Sequence, residues 1–265
     1  AYFATVVMLG IFGIHRLTLV ILYFRHRDKH VPLEAPIPDE DCPTVLVQLP
    51  IFNERFVIER LIDSVVAFDW PADRLRIQVL DDSTDETVDV VDKAVRRHQR
   101  DGVHITHVRR TDRSGYKAGA LREGLLLDCA PFVAMFDADF IPQPEFLRHA
   151  LQPMVADTGV GMVQARWGHT NRGDSILTRA QAVLLDGHFI MEHGARFRSG
   201  RFFNFNGTAG VWRRDAIDEA GGWAADTLCE DLDLSYRAQL AGWRFVYLQD
   251  LVVPAELPPD ATAFK

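Results

Sequence analysis

The sequence predicts an α/β fold: a mostly parallel mixed sheet with helices on both faces, preceded by one separate apolar helix. Three observations predict it. From residue 44 onward, short β-branched or wholly apolar runs alternate with segments of helical period, the order that builds parallel sheets through crossover helices. Polar clusters follow three of those runs, at Asn53-Glu54, Asp81-Asp82 and Asp137/Asp139, where ligands sit in sheets of this kind. Residues 1–24 have strongly polar side chains only at His15 and Arg16.

The chain has 265 residues, 48% hydrophobic and 25% charged, enough to bury a full core and unlike a disordered or disulfide-framed chain. Its formal net charge of −8 argues against a nucleic-acid binder, which needs a basic surface. Three cysteines, Cys42, Cys129 and Cys229, are too widely spaced for a zinc pattern and read as reduced thiols. Because the sequence starts at Ala1, it is expected to be a fragment or a processed product.

As a helix, residues 1–24 would reach about 36 Å, enough to cross a hydrocarbon core of about 30 Å. The following Arg25-His26-Arg27-Asp28-Lys29-His30 is the basic flank that stays cytoplasmic. A signal peptide fits less well, lacking a basic start and a small-residue cleavage site; a buried soluble helix is the plain alternative. The expectation is a transmembrane or membrane-associated helix over 1–24, a basic then Pro-rich linker over 25–43, and a cytoplasmic domain over 44–265. Arg16 is the awkward residue, since a mid-helix arginine costs roughly 2.5–3.5 kcal/mol on insertion. It must snorkel, meet a protein partner, or mark where the span ends.

Thr44–Leu49 reads as the first strand, and Glu54–Phe68 as a helix from the spacing of Phe56, Val57, Leu61, Ile62, Val65 and Val66. Arg76–Leu80 is the next strand; Ser83-Thr84-Asp85-Glu86 has the capping-box pattern that opens a helix. His104–Arg109 is a strand, Ala118–Leu127 a helix, and Phe132–Phe136 a wholly apolar strand. Pro142 and Pro144 introduce a helix to about Leu151. Val160–Ala165 is a further strand and Leu232–Ala241 a helix opened by Cys229-Glu230-Asp231.

The chemistry must come from the strand ends. No G-x-G-x-x-G or Walker pattern is present, so a dinucleotide dehydrogenase and a P-loop ATPase are excluded. Asp137 and Asp139, two residues apart after a buried strand, can share Mg²⁺ or Mn²⁺ with a ligand's phosphates; a solvated turn is the bland alternative. Asp81-Asp82 can accept from a base and a ribose, or simply complement a helix N-terminus. Lys117, in a glycine-bearing loop, can meet a diphosphate or lie in solvent. Phe202–Gly210 mixes aromatics with small polar groups, as sugar sites do and as a glycine-kinked buried strand does. Asp231 can act as a general base for a hydroxyl, or only favour its helix.

Jointly, Pro50-Ile51-Phe52-Asn53-Glu54, Asp81-Asp82-Ser83-Thr84, Lys117-Ala118-Gly119, Asp137-Ala138-Asp139 and Glu230-Asp231 resemble the family 2 glycosyltransferases. Gln164-Ala165-Arg166-Trp167, Phe205–Gly210 with Trp212-Arg213, Gly221-Gly222-Trp223 and Gly242-Trp243 resemble the cellulose-synthase-like branch, closest to the β-mannan (glucomannan) synthases. The resemblance implies a GT-A nucleotide-diphospho-sugar transferase fold and inverting transfer of a hexose to a β-linked glycan acceptor. It implies donor binding by Pro50, Asn53, Glu54, Asp81, Asp82, Lys117 and Asp137, and a divalent cation, Mg²⁺ or Mn²⁺, on Asp139 with Asp137. It implies Asp231 as base beside Glu230, and acceptor contacts at Phe205, Asn206, Gly207 and Thr208. Cys229 stands where the family has Thr or Val. The implied place is the inner membrane with the catalytic domain in the cytoplasm; partners in a synthase complex stay unassigned. The family's Q-x-x-R-W motif is expected beyond Lys265, so residues 1–265 are expected to bind a sugar nucleotide without polymerising it. A non-catalytic sugar-nucleotide-binding subunit and a glycolipid glycosyltransferase are the alternatives. A nucleotidyltransferase would need a Gly-rich first loop, and Pro50–Arg55 has no glycine.

Overall fold

The computed structural model describes residues 2–29 and 31–260. Its seven strands are β1 (Val45–Ile51), β2 (Leu75–Asp81), β3 (Ile105–Arg109), β4 (Phe132–Met135), β5 (Val160–His169), β6 (Gly210–Arg213) and β7 (Arg244–Ala255). They form one sheet of order β3-β2-β1-β4-β6-β5-β7. β3, β2, β1 and β4 run parallel; β6 is antiparallel to both its neighbours, and β5 pairs parallel with β7. This is the mostly parallel mixed sheet the sequence predicts. β1 carries Val45, Leu46, Val47 and Leu49 at full burial, because a central strand with both faces covered has no solvent side to alternate toward.

The helices are α1 (Tyr2–Arg25), α2 (Ile58–Val66), α3 (Thr87–Arg100), α4 (Tyr116–Leu126), α5 (Phe146–Ala150), α6 (Gln152–Ala156), α7 (Ile176–Asp186), α8 (Gly194–Arg198), α9 (Arg214–Glu219) and α10 (Glu230–Leu240). A π-helical stretch, Gly187–His193, joins α7 to α8. One face of the sheet is covered by apolar side chains of α2, α3 and α5, among them Leu61, Val91 and Phe146. The other is covered by α4, α9, α10 and the π stretch, through Leu121, Ile217, Leu234 and Phe189. Truncating a side chain as buried as Leu49 to alanine costs about 2–5 kcal/mol in such packing.

Three local expectations are corrected. The helix expected from Glu54 begins at Ile58, because Asn53 sits at φ 58°, in the left-handed region, and turns the chain first. Ser83 and Glu86 form no capping box: the Ser83 hydroxyl accepts from the Asn53 N–H at 2.9 Å, and Asp85 instead accepts from the Thr87 N–H at 2.9 Å. The helix expected from Pro142 starts only at Phe146. In the Pro-rich segment, Ile37 and Cys42 are buried, held by the Arg148 guanidinium, which donates to Ile37 O at 2.7 Å and to Cys42 Sγ at 3.2 Å. The three cysteines are unbridged.

α1 is long and apolar enough to cross a membrane, with a mean hydropathy of 2.0 over its most apolar stretch. Its residues 2–18 are exposed and Leu19 is buried, so the second half of the helix lies against the π stretch and α8. Arg16 meets a protein partner: its Nη1 donates to Glu192 Oε2 at 2.5 Å.

Candidate functional site

Strand order reverses at β1, which has β2 on one side and β4 on the other. Crevices open at such points, beyond the carboxyl ends of the strands. A cleft of about 610 Å³ lies there, lined at the ends of β1, β2 and β4 by Pro50, Phe52, Glu54, Asp82, Asp137 and Asp139. Arg113 and Lys117 close one side, and Glu256 to Pro259 another.

The site is built from strand ends outward. Asn53 and Asp81 are not on the cleft wall. The Asn53 side chain accepts from the Thr84 N–H at 2.9 Å, so with the Ser83 bond it staples the end of β1 to the end of β2. Asp81 is buried, within 2.8 Å of both His107 Nε2 and the Ser83 N–H. Burial works to raise its carboxyl, but the hydrogen bonds to His107 and Ser83 outweigh burial and hold it below the ordinary value. Asp82 faces the cleft and takes a two-pronged contact from Arg110. The Arg113 guanidinium lies 3.3 Å over the centre of the Phe52 ring, a cation–π contact at the cleft edge. Arg110 and Arg113 carry no motif of their own, and the sequence reading missed both; the three arginines just upstream of Lys117, at 109, 110 and 113, were the available signal.

At the other end, Lys117 Nζ donates to Asp137 Oδ1 and to Gly207 O, the latter at 3.1 Å. The Asp137 N–H donates to Thr208 Oγ1 at 2.8 Å. A Cβ on Gly207 would lie 3.2 Å from Asp231 Oδ2 and 3.4 Å from Lys117 Nζ, and Gly207 sits at φ 77°. Asp231, Lys117, Asp137 and the Gly207 turn therefore form one cluster at the rim of the cleft. Asp231 is fixed by its place in the first turn of α10. There the Ser235 hydroxyl donates to Asp231 O at 2.6 Å and accepts from the Phe205 N–H at 2.8 Å. Glu230 opens the same helix.

The expected acceptor residues are mostly scaffold. Phe205 is fully buried with its ring edge-on to Trp212 at 5.8 Å, which corrects the expectation that it offers a face to a sugar. Thr208 is also fully buried. The Asn206 side chain is spent on His188 and His193, at 3.0 and 2.8 Å. Of the four, Gly207 borders the carboxylate cluster and the Thr208 hydroxyl accepts from the Asp137 N–H behind it.

The electrostatics set the cluster apart. Asp139 is pushed up to about 6 by burial, then by the neighbouring Asp137 and Glu54 carboxylates. Burial also raises Asp231, against the pull of Lys117. Among the described residues no three His, Cys, Asp or Glu side chains are gathered as a complete metal cage. Two carboxylates with excess negative charge are the donor set on which Mg²⁺ or Mn²⁺ sits when substrate phosphates and water complete the shell. The residues present fit a cation of that kind, held jointly with a phosphorylated ligand.

A family model described as "Glycosyltransferase like family 2" matches residues 43–264. Glucomannan 4-beta-mannosyltransferase 2 of Arabidopsis thaliana is 45% identical over 258 residues, covering 94% of this chain and 48% of that protein. Glucomannan 4-beta-mannosyltransferase 1 of Oryza sativa subsp. japonica is 47% identical over 242 residues, 87% of this chain and 46% of that protein. The chain thus spans about half the length of the curated relatives it matches. Among solved structures, a mannosyltransferase from Pyrobaculum calidifontis in complex with GDP-Man and Mn²⁺ matches with TM-score 0.74 at 25% identity, over 96% of this chain and 68% of that one. S. aureus TarS in complex with UDP-GlcNAc matches in fold, with TM-score 0.61 at 18% identity over 84% of this chain and 61% of that one.

Proposed function

The chain belongs to glycosyltransferase family 2, and on that premise we propose that it transfers a mannosyl group from GDP-mannose to a growing β-linked glycan, with inversion, in one displacement. The observation that carries this is the convergence of Asp82, Lys117, Asp137, Asp139 and Asp231 at the switch point of the sheet. The choice of mannose rests on the names of the relatives and on the GDP-Man complex of the structural neighbour.

Asp82, with Phe52 and Arg113 at the cleft edge, receives the nucleoside. Asn53 and Asp81 act from behind by holding the ends of β1 and β2 together. Lys117 offers its ammonium to the diphosphate. Asp139 and Asp137 would hold Mg²⁺ or Mn²⁺, which when bound supplies positive charge to the leaving diphosphate, a contribution worth several kcal/mol in such sites. Asp231 takes the proton of the acceptor hydroxyl as that oxygen bonds to the anomeric carbon and the bond to the diphosphate breaks. Its raised carboxyl is suited to this, since a stronger base accepts the proton more readily at neutral pH. Glu230, next in the first turn, is the remaining acid at the base position.

We place the protein on the inner membrane through α1, with the catalytic domain on the cytoplasmic side. The support is the apolar helix and the Arg25, Arg27 and Lys29 that follow it.

A donor panel tests the proposal: the full-length protein in membranes is given GDP-mannose, GDP-glucose, UDP-glucose and UDP-GlcNAc, and released nucleoside diphosphate is scored. GDP-mannose is expected to turn over at least about tenfold faster than either UDP sugar, the discrimination that one well-read base edge supplies at about 1.4 kcal/mol. Equal or faster turnover of a UDP sugar contradicts it.

A further inference from the structure

Arg16 stands in an apolar helix, where an arginine is costly and is retained for a partner. Its partner is Glu192, whose side chain is 14% exposed and also takes Arg196 Nη2 at 3.1 Å. Glu192 Oε2 lies 3.3 Å from His188 Nδ1, and His188 Nε2 lies 3.0 Å from Asn206 Oδ1. Both ring nitrogens of His188 therefore face acceptors. Asn206 is fixed on its remaining sides: its Nδ2 donates to His193 Nε2 at 2.8 Å, and its N–H donates to Gln164 Oε1 at 3.0 Å. The next residue is Gly207, whose carbonyl holds Lys117 and on which a Cβ would lie 3.2 Å from Asp231 Oδ2.

His188, Glu192 and His193 all come from the π stretch. A π turn is rare and tends to appear at functional sites. Along it His188 and His193 reach Asn206, while Glu192 meets Arg16 and His188. The hydrogen bond to His188, and then the charge of Arg16, hold the Glu192 carboxyl well below the usual carboxylate range, so it stays ionised between its cationic neighbours.

We infer that Arg16, through Glu192 and His188, sets the position of Asn206 and hence of the Gly207 turn against which Asp231 and Lys117 rest. The apolar helix is in this way an element of the catalytic site, and Arg16, Glu192 and His188 are positioning residues. The inference deepens the proposed glycosyl transfer and, for its kinetic arm, rests on it.

The test uses the full-length protein in lipid nanodiscs, with Arg16→Met and Glu192→Gln. The first readout needs no turnover: amide hydrogen exchange of residues 204–208. The two single variants are expected to exchange there at least about fivefold faster, with the β1 and β2 amides unchanged. The second readout is kinetic. Transfer kcat is expected to fall about tenfold or more in the single variants, since misplacing a reacting group by about 1 Å costs on the order of 10²-fold. GDP affinity should stay within twofold. Unchanged exchange at 204–208 in a folded Arg16→Met protein overturns the inference. So does a kcat within twofold of wild type, or a loss of GDP binding that matches the loss of transfer. If the wild type turns over no donor at all, the proposed function fails, while the exchange readout still decides the coupling.

Discussion

Asp139 and Asp231 are both half-buried acids with raised carboxyls, yet they are expected to fail differently when neutralised. Asp139 follows a buried strand and supports little packing, so Asp139→Asn should fold normally. Its expected effect is on the cation: Mn²⁺ should strengthen GDP binding in the wild type and no longer do so in the variant. Calorimetry of GDP with and without Mn²⁺ checks this, and an unchanged metal dependence removes Asp139 from the ligand set. Asp231→Asn should leave GDP affinity within twofold and lower transfer by 10²–10⁴-fold, the range of a general base. A variant that keeps more than about a tenth of turnover makes Asp231 a helix-terminal acid only. The types and order of these acids were legible in the sequence, because D-x-D after an apolar strand and an acidic helix start are local patterns. What was not legible is which neighbours face the cleft. Asp81 and Asp82 look alike in sequence, but alternation along the end of β2 turns one into the protein and the other outward.

Among the elements, the π stretch makes a pH prediction. His193 is buried with Nδ1 unpartnered, and it is pushed down to about 3 by burial and then by the charge of His188. Arg196 works in the same direction and Glu192 against it. Its folded value lies below the unfolded value of about 6.5. The unfolded chain therefore binds a proton that the native state refuses, and stability falls as pH drops from 6.5 toward 3. At about 1.4 kcal/mol per unit, the loss by pH 4 is on the order of 3 kcal/mol. Urea unfolding at pH 6.5 and pH 4 is expected to give a smaller difference for His193→Gln than for the wild type; equal differences would show that His193 carries none of the acid sensitivity. The strands β1 to β5 were legible as apolar runs bounded by turn residues. β6 was not, being four residues long and preceded by glycine turns. β7 was not either, because its pairing to β5 is interrupted between Ala165 and Arg166, so its pattern changes phase midway. The π stretch leaves no sequence signature, since its widening depends on what the helix packs against.

At the scale of the whole molecule, the parts of the site come from both ends of the chain. Asp82 and Lys117 lie in the first half and Asp137, Asp139 and Asp231 in the second. The loop that joins them in space, Phe205–Thr208, is tied to α10 through Ser235 and to β4 through Thr208. Arg16 and Glu192 are 176 residues apart; no local pattern could pair them, although the cost of an arginine in an apolar helix already left it to snorkel, to meet a partner or to mark the end of the span. The function proposed for this arrangement is inverting transfer of a mannosyl group to a glycan. Full-length protein in membranes, given GDP-[¹⁴C]mannose and a manno-oligosaccharide acceptor, tests that transfer. The label is predicted to enter a polymer that an endo-β-mannanase releases, with one GDP formed per sugar added. GDP release with the label recovered only as free mannose, or label in an α-linked product, would contradict it.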